Sequence, residues 1–441
     1  MKRFSKLFTA LLSVGFLAGL FVSNAFSDST DTQFIPMVTY RIGPYAAGGS
    51  GITGGYIDYL SLINEQDGGV NGVKFSWSEC ETEYKTPRGV ECYERLKNQG
   101  SGATVFNFLS TGMTYAVLDR ATTDKIPIMS LGYGRTDTSD GRVFPYIFPL
   151  ITNYWSQNTA KIKYIGQQEG GMDKLKGKLI VNLHHGSGYG RETIPILDVQ
   201  AKKYGFTVKH LEVAHPGVDQ KSQWLQIRQL KPDWVILRGW GIMNPTALKM
   251  AANIKFPANK ILGVWWSGAE EDVRPAGDAA IGFRAAGFHP AGTDFPVLKQ
   301  IKKILYEKGK GDLKDQTRIG SVYHIRGIIH GIVTAEAIRT AQAKFGNRVI
   351  TGEEMQWGLE HLNITAERIK ELGVEDMMMP LKLSCFDHEG GGAVKIMRWD
   401  GKQWEVVSDW IQSDQSIVRP MVEASAAKYA EEKGITLRTC E

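Results

Sequence analysis

Two hydrophobic periods alternate along this chain, and their order predicts its architecture. Beyond an apolar run at 8–22, short stretches rich in branched and aromatic residues predict strands at 38–42, 73–77, 104–109 and 126–131. Between them, helical spacing predicts helices at 56–66, with Ile57, Leu60 and Ile63 on one face, and at 90–97 and 113–121. Strands alternating with helices describe an α/β unit of parallel sheet covered by helices. A similar unit follows Phe148-Pro149-Leu150. It has a helix at 153–166, a strand at 179–183 and a helix at 191–204, and the alternation continues through 208–213, 224–230, 233–237, 245–252 and 260–264. The two units share a pattern but not residues.

The last section has a different texture. Long helices are predicted at 295–308 and 321–344, the second with Ile325, Ile328, Ile329, Ile332 and Ala335 marking one buried face. A helix at 353–362 follows. Segments 393–398 and 404–407, separated by a turn containing Asp400-Gly401, form a β-hairpin. No low-complexity linker interrupts the chain, so the domains are expected to be joined by short crossovers.

The apolar run at 8–22 follows Lys2, Arg3 and Lys6 and precedes Ser23-Asn24-Ala25, small residues suited to a signal peptidase. Residues 1–25 therefore read as a cleavable export signal, too short to be a membrane span. The first cysteine is Cys80, far from that cleavage point, so no lipid anchor is expected. The mature chain is expected in the periplasm, away from cytosolic ATP and NAD. It keeps about 415 of the 441 residues, enough for two domains. The net charge of +5 loses three basic residues with the signal, which leaves no electrostatic footprint for nucleic acid. With 42% hydrophobic and 22% charged residues, the composition excludes a disordered chain.

Four cysteines in an exported chain permit three disulfide pairings. Cys80 and Cys92 flank a polar loop, and Cys385 and Cys440 both lie towards the C-terminus. Cys80–Cys92 and Cys385–Cys440 are expected, each contributing ~2–4 kcal/mol, against the alternative of free buried thiols.

Several motifs suggest catalysis and fall short of it. The stretch 49–54 has G-x-G-x-x-G spacing, but the preceding strand ends well before it, so it reads as a glycine-rich loop opening a helix. His184-His185 ends a strand, yet no third metal ligand has a suitable spacing. The stretch 387–392, Asp-His-Glu-Gly-Gly-Gly, reads as turn chemistry, since no G-x-S-x-G elbow exists in the chain. No enzyme activity, cofactor or metal is expected.

A different set of residues recurs at strand ends. Ser110-Thr111-Gly112, Gly132-Tyr133-Gly134, Ser187-Gly188-Tyr189-Gly190, Gly239-Trp240-Gly241 and Trp265-Trp266-Ser267-Gly268 each set a glycine beside a hydroxyl or a large aromatic ring. Hydroxyls and free N–H groups at helix starts suit a carboxylate. Aromatic faces suit a flat body or an ammonium group.

Together with Gly68-Gly69-Val70-Asn71-Gly72, the cysteine-bracketed loop ending in Glu91-Cys92-Tyr93-Glu94-Arg95-Leu96, and Arg274-Pro275-Ala276-Gly277, these segments resemble the branched-chain amino-acid (leucine-binding) type of ABC-transporter substrate-binding protein. The resemblance runs in order over nearly the whole mature chain. It implies a type I periplasmic binding protein fold, with two Rossmann-like lobes of parallel sheet joined by three hinge crossovers. Lobe one is expected at 33–150 plus 284–382, and lobe two at 151–283 plus 383–441. Position by position, the resemblance implies that Ser110 and Thr111 bind a ligand carboxylate and that Tyr133 and Gly134 add backbone donors and a ring. Tyr189, Trp240 and Trp266 close from the other lobe, and Glu270 pairs with an α-ammonium.

Amino-acid binders of this type often carry Ala or Ser beside a Thr, where this chain has Tyr133. Its wall of Trp240, Trp265 and Trp266 favours a flat or aromatic acid, or a short amide, over leucine. The implied partners are such a small solute and a membrane ABC permease. A sensor presenting its closed lobes to a membrane receptor and an exported α/β enzyme are the alternatives. A neighbouring kinase gene would mark the first, and loss of turnover on substituting His185 or His388 would mark the second.

Overall fold

The strands gather into two groups in the computed structural model, which describes residues 31–440; the expected export signal lies outside the described residues. In the first group, β1 (Gln33–Thr39) runs parallel to β2 (Phe75–Glu81), and β3 (Ile128–Met129) runs parallel to β4 (Ile147–Phe148). The predicted strand at 104–109 lies between these pairs as an extended segment. Thr104 N donates to Phe34 O at 3.2 Å, and Phe106 bridges to Ile128. No regular ladder forms there, because Leu109 turns into the left-handed region at φ 50° ahead of the helix Thr111–Asp124. β1 also begins and ends earlier than its predicted 38–42. All seven of its residues are buried and Pro36 sits at its centre, so no polar alternation marks its start.

The second group is built on β5 (Leu179–His185), β6 (Thr207–Val213), β7 (Trp234–Arg238), β8 (Ile261–Gly263) and β9 (Arg284–Gly287), each parallel to its neighbours among these five. A short antiparallel pair, β10 (Asn363–Ile364) and β11 (Leu381–Lys382), comes next in the chain. The predicted hairpin is present as β12 (Lys395–Trp399) and β13 (Trp404–Val406), and it extends the second sheet by pairing β12 antiparallel to β9. The order is β13-β12-β9-β8-β7-β5-β6. Asp400 builds the hairpin turn by accepting from Lys402 N at 2.6 Å and Gln403 N at 2.7 Å.

The glycines at 49–54 do not form a loop. They lie inside the helix Ala46–Gln66, which packs on the helix Val322–Phe345 with the two backbones nearly touching. A Cβ on Gly55 would stand 2.0 Å from His324 O, and one on Gly327 would stand 2.0 Å from Ile52 O. Glycine spacing here serves close helix approach, not a phosphate. The second helix is buried on every side through Ile338, beyond the single face its isoleucines suggest. The turn at 68–72 explains its own composition, because Gly68, Gly69, Asn71 and Gly72 all adopt positive φ, between 49° and 98°.

Cys80–Cys92 and Cys385–Cys440 are both formed, with Cα separations of 5.7 and 5.6 Å. The last helix, Gln415–Lys433, touches both halves of the molecule. At its start, Asp414 N donates to Thr159 Oγ1 at 2.8 Å; near its end, Tyr429 donates to Asp119 at 2.7 Å and Lys433 pairs with Asp119 at 3.0 Å. Among the described residues, no helix is long and apolar enough to cross a membrane.

Candidate functional site

The carboxyl ends of the parallel strands of both groups face each other, which is where open α/β sheets bind ligands. The aromatic residues of the strand-end loops meet there. The Tyr133 ring stacks on Trp266 with centroids 4.1 Å apart. Trp240 meets Trp266 edge to face at 5.1 Å and stacks on Tyr45 at 5.6 Å. Tyr40 shares a hydrogen bond with Tyr133 at 2.9 Å and lies 4.8 Å from Tyr84. Pro44, Tyr45, Trp240, Asp272 and Tyr323 line a crevice of about 140 Å³ at the edge of this cluster.

Polar groups hold the two halves around it. Trp265 and Trp266 both donate their indole N–H to Gly132 O, at 2.9 and 2.8 Å. Thr111 Oγ1 accepts from Gly134 N at 3.2 Å and lies 3.5 Å from the Tyr154 hydroxyl. The Ser110 hydroxyl caps the helix Thr111–Asp124 by accepting from Met113 N at 3.4 Å. Tyr189 donates to Gly239 O at 2.8 Å, and its ring lies 4.5 Å from the Arg238 guanidinium. Glu270 accepts from Val322 N at 3.0 Å, at the positive end of the long helix.

Thr111, Tyr133, Gly134, Trp240 and Trp266 therefore form one contiguous cluster. Ser110 is buried at the start of the helix that carries Thr111, and Tyr189 joins the cluster through Tyr154, whose ring centroid is 5.6 Å away. Glu270 lies beside Val322, the neighbour of Tyr323, whose ring is 6.2 Å from Trp240. Both His388 ring nitrogens are occupied, one 3.0 Å from Glu360 and the other 2.7 Å from Ile147 O. Among the described residues, no cluster of three or more His, Cys, Asp or Glu could hold a metal ion.

Sequence reasoning missed Tyr40, Tyr45, Tyr84, Tyr154, Asp272, Tyr323 and Arg326. Arg326 is fully buried, with its guanidinium carbon 4.3 Å from the Trp266 centroid. Its Nε donates to His289 Nε2 and one terminal nitrogen donates to Trp265 O, both at 3.3 Å, while its other terminal nitrogen has no partner. An arginine inside a helix otherwise crowded with isoleucine was the available signal. Asp272 accepts from Tyr323 at 3.0 Å, Asn244 at 2.9 Å and Ala269 N at 3.1 Å.

Burial, with Glu271 adding to it, pushes the Glu270 carboxyl up to about 7, and burial does the same to Asp272. A carboxyl raised in the folded state contributes stability that is complete below the unfolded value of 4.5 and is lost as pH rises through about 7. Glu270→Gln keeps an acceptor for Val322 N. It is expected to match the parent protein near about pH 5 and to be more stable by ~1–3 kcal/mol at about pH 8. A difference in melting temperature that does not change between the two pH values would refute this account.

No curated protein matches this chain. Among solved structures, one from the Pseudomonas fluorescens group, described as an ABC transporter permease, is 49% identical. That match covers 94% of this chain and all of the other, with a TM-score of 0.89. A branched-chain amino acid ABC transporter protein from Thermus thermophilus with bound valine is 21% identical, with a TM-score of 0.74 over 89% of this chain and 99% of that one. A solute-binding protein from R. palustris in complex with benzoate is 19% identical, with a TM-score of 0.67 over 87% and 97%. These two carry the same fold. The family model for periplasmic binding proteins matches residues 32–403, and the chain belongs to that family.

Proposed function

We propose that this protein is the solute-binding component of an ABC importer, closing two lobes on a small carboxylate-bearing solute and presenting it to a membrane permease. The lobes in this reading are 33–150 plus 284–382 and 151–283 plus 383–441, except that β9, paired with β8 on one side and β12 on the other, lies inside the second sheet, so the crossover falls after Gly287. The observation that carries the reading is the unpartnered Arg326 nitrogen beside the clustered rings of Tyr133, Trp240 and Trp266. A guanidinium offers a carboxylate directed hydrogen bonds, and the rings offer a flat body two faces. Ser110 and Thr111 supply further donors, and Glu270 receives an ammonium where the solute has one. The permease then needs only to distinguish the closed shape from the open one.

The test is thermal stability of the mature protein, stripped of solute by unfolding and refolding, against valine, phenylalanine, benzoate and short amides. A bound solute adds about 2.7 kcal/mol at a hundredfold excess over its dissociation constant. A shift confined to carboxylates supports the reading, and a shift with amides alone overturns the role of Arg326. Trp240→Ala is expected to weaken a ring-bearing solute by about tenfold or more and an aliphatic one by less. Equal losses in calorimetric titration would exclude the aromatic wall.

A further inference from the structure

Two buried cations share the interior of the second sheet's helical cover. Arg238 ends β7, and Lys161 lies in the helix Tyr154–Glu169; both are fully buried. Arg238 Nε donates to Tyr189 O at 2.9 Å, but its two terminal nitrogens have no hydrogen-bond partner, and neither has Lys161 Nζ. The two feel each other's charge: burial first, and then Arg238, hold the Lys161 ammonium well below its ordinary value. Among the described residues, no carboxylate pairs with either side chain.

Neutral polar groups with unmet hydrogen bonds lie on the same helix face and the same sheet face. Gln157 lies one helical turn before Lys161 on the same helix face, buried, with both amide atoms unpartnered. Asn182 in β5 pairs in register with Ile236, two residues before Arg238 and on the same sheet face, and its Oδ1 is also unpartnered. Packing alone gives no reason for this set, since methionine at 161 would fill the space without a desolvated charge. Water would serve Gln157 and Asn182, yet it would leave the buried Arg238 charge uncompensated, which a bound anion would neutralise while restoring the Lys161 ammonium.

We propose that Arg238 and Lys161 together hold a small inorganic anion of halide size inside the second lobe, with the Gln157 amide completing its shell. The anion is separate from the transported solute. Tyr154 lies over the guanidinium at 4.0 Å, and its hydroxyl, 3.0 Å from Trp266 Nε1, forms part of the cleft above. The anion's role is structural: it fixes Arg238, and through it Tyr154 and Tyr189, beneath the ligand cleft. The inference rests on the second lobe alone and stands whichever solute the cleft takes.

The probe is bromide, applied to the intact mature protein. Crystals grown in sodium bromide are expected to show an anomalous peak between Arg238 and Lys161. In solution, the melting temperature is expected to rise saturably by several degrees as bromide replaces gluconate at constant ionic strength. In Lys161→Met this dependence disappears. Absence of the anomalous peak overturns the proposal, as does a Lys161→Met protein that keeps the parent's bromide response. If Lys161→Met does not fold, the crystallographic result on the unaltered chain decides alone.

Discussion

Gly327→Ala is expected to destabilise the protein by about 3 kcal/mol, read as a lowered midpoint in chemical denaturation. The added Cβ would stand 2.0 Å from Ile52 O, 2.7 Å from Tyr56 N and 2.9 Å from Gly55 C. All three atoms are backbone, so no change of side-chain rotamer relieves the clash. The helices Ala46–Gln66 and Val322–Phe345 would have to separate, loosening Ile52, Leu60, Ile328 and Ile332 along the seam between them. Alanine's better helix propensity opposes this by about 1 kcal/mol at most. The clash is larger and decides the sign. An unchanged or raised midpoint would show that the two helices have slack the backbone distances exclude.

The second large effect is on binding. Arg326→Gln is expected to weaken any carboxylate solute found by the thermal panel by about 2–4 kcal/mol, or roughly thirtyfold to a thousandfold. The substitution leaves the solute's acid group buried without its cation. The uncharged amide of the same solute is expected to lose far less. Arg326→Lys should rescue poorly, because a compact ammonium on a flexible stem cannot keep the bonds to His289 and Trp265 while also reaching a ligand. Equal losses for the acid and its amide in calorimetric titration would remove Arg326 from the site.

The α/β alternation was legible because the central strands of the second sheet are apolar runs bounded by glycine or proline, as in 179–183 and 233–237. β1 was misplaced by five residues at its start because burial on both faces removes the alternation that marks strand ends. The glycines at 49–54 were read as a loop because helix-to-helix contact over more than 270 residues of sequence leaves no local trace. For the site, the strand-end rule found Thr111, Tyr133, Trp240 and Trp266. It passed over Tyr40, because the expected strand placed that residue inside β1, although in the structure it directly follows the last residue, Thr39. Arg326 needed a tertiary fact, namely that its helix is buried all round.

The helix Gln415–Lys433 sets an order of events for folding. It comes late in the chain, yet Thr159 and Asp119, one in each half of the molecule, both wait for it. Gly327 likewise reaches back to Ile52 across most of the polypeptide. Neither half completes its contacts until the helix Gln415–Lys433 has docked on both. A chain cut short before Gln415 would leave Phe144, which stacks on Tyr429 at 4.9 Å, uncovered and the fold open to proteolysis.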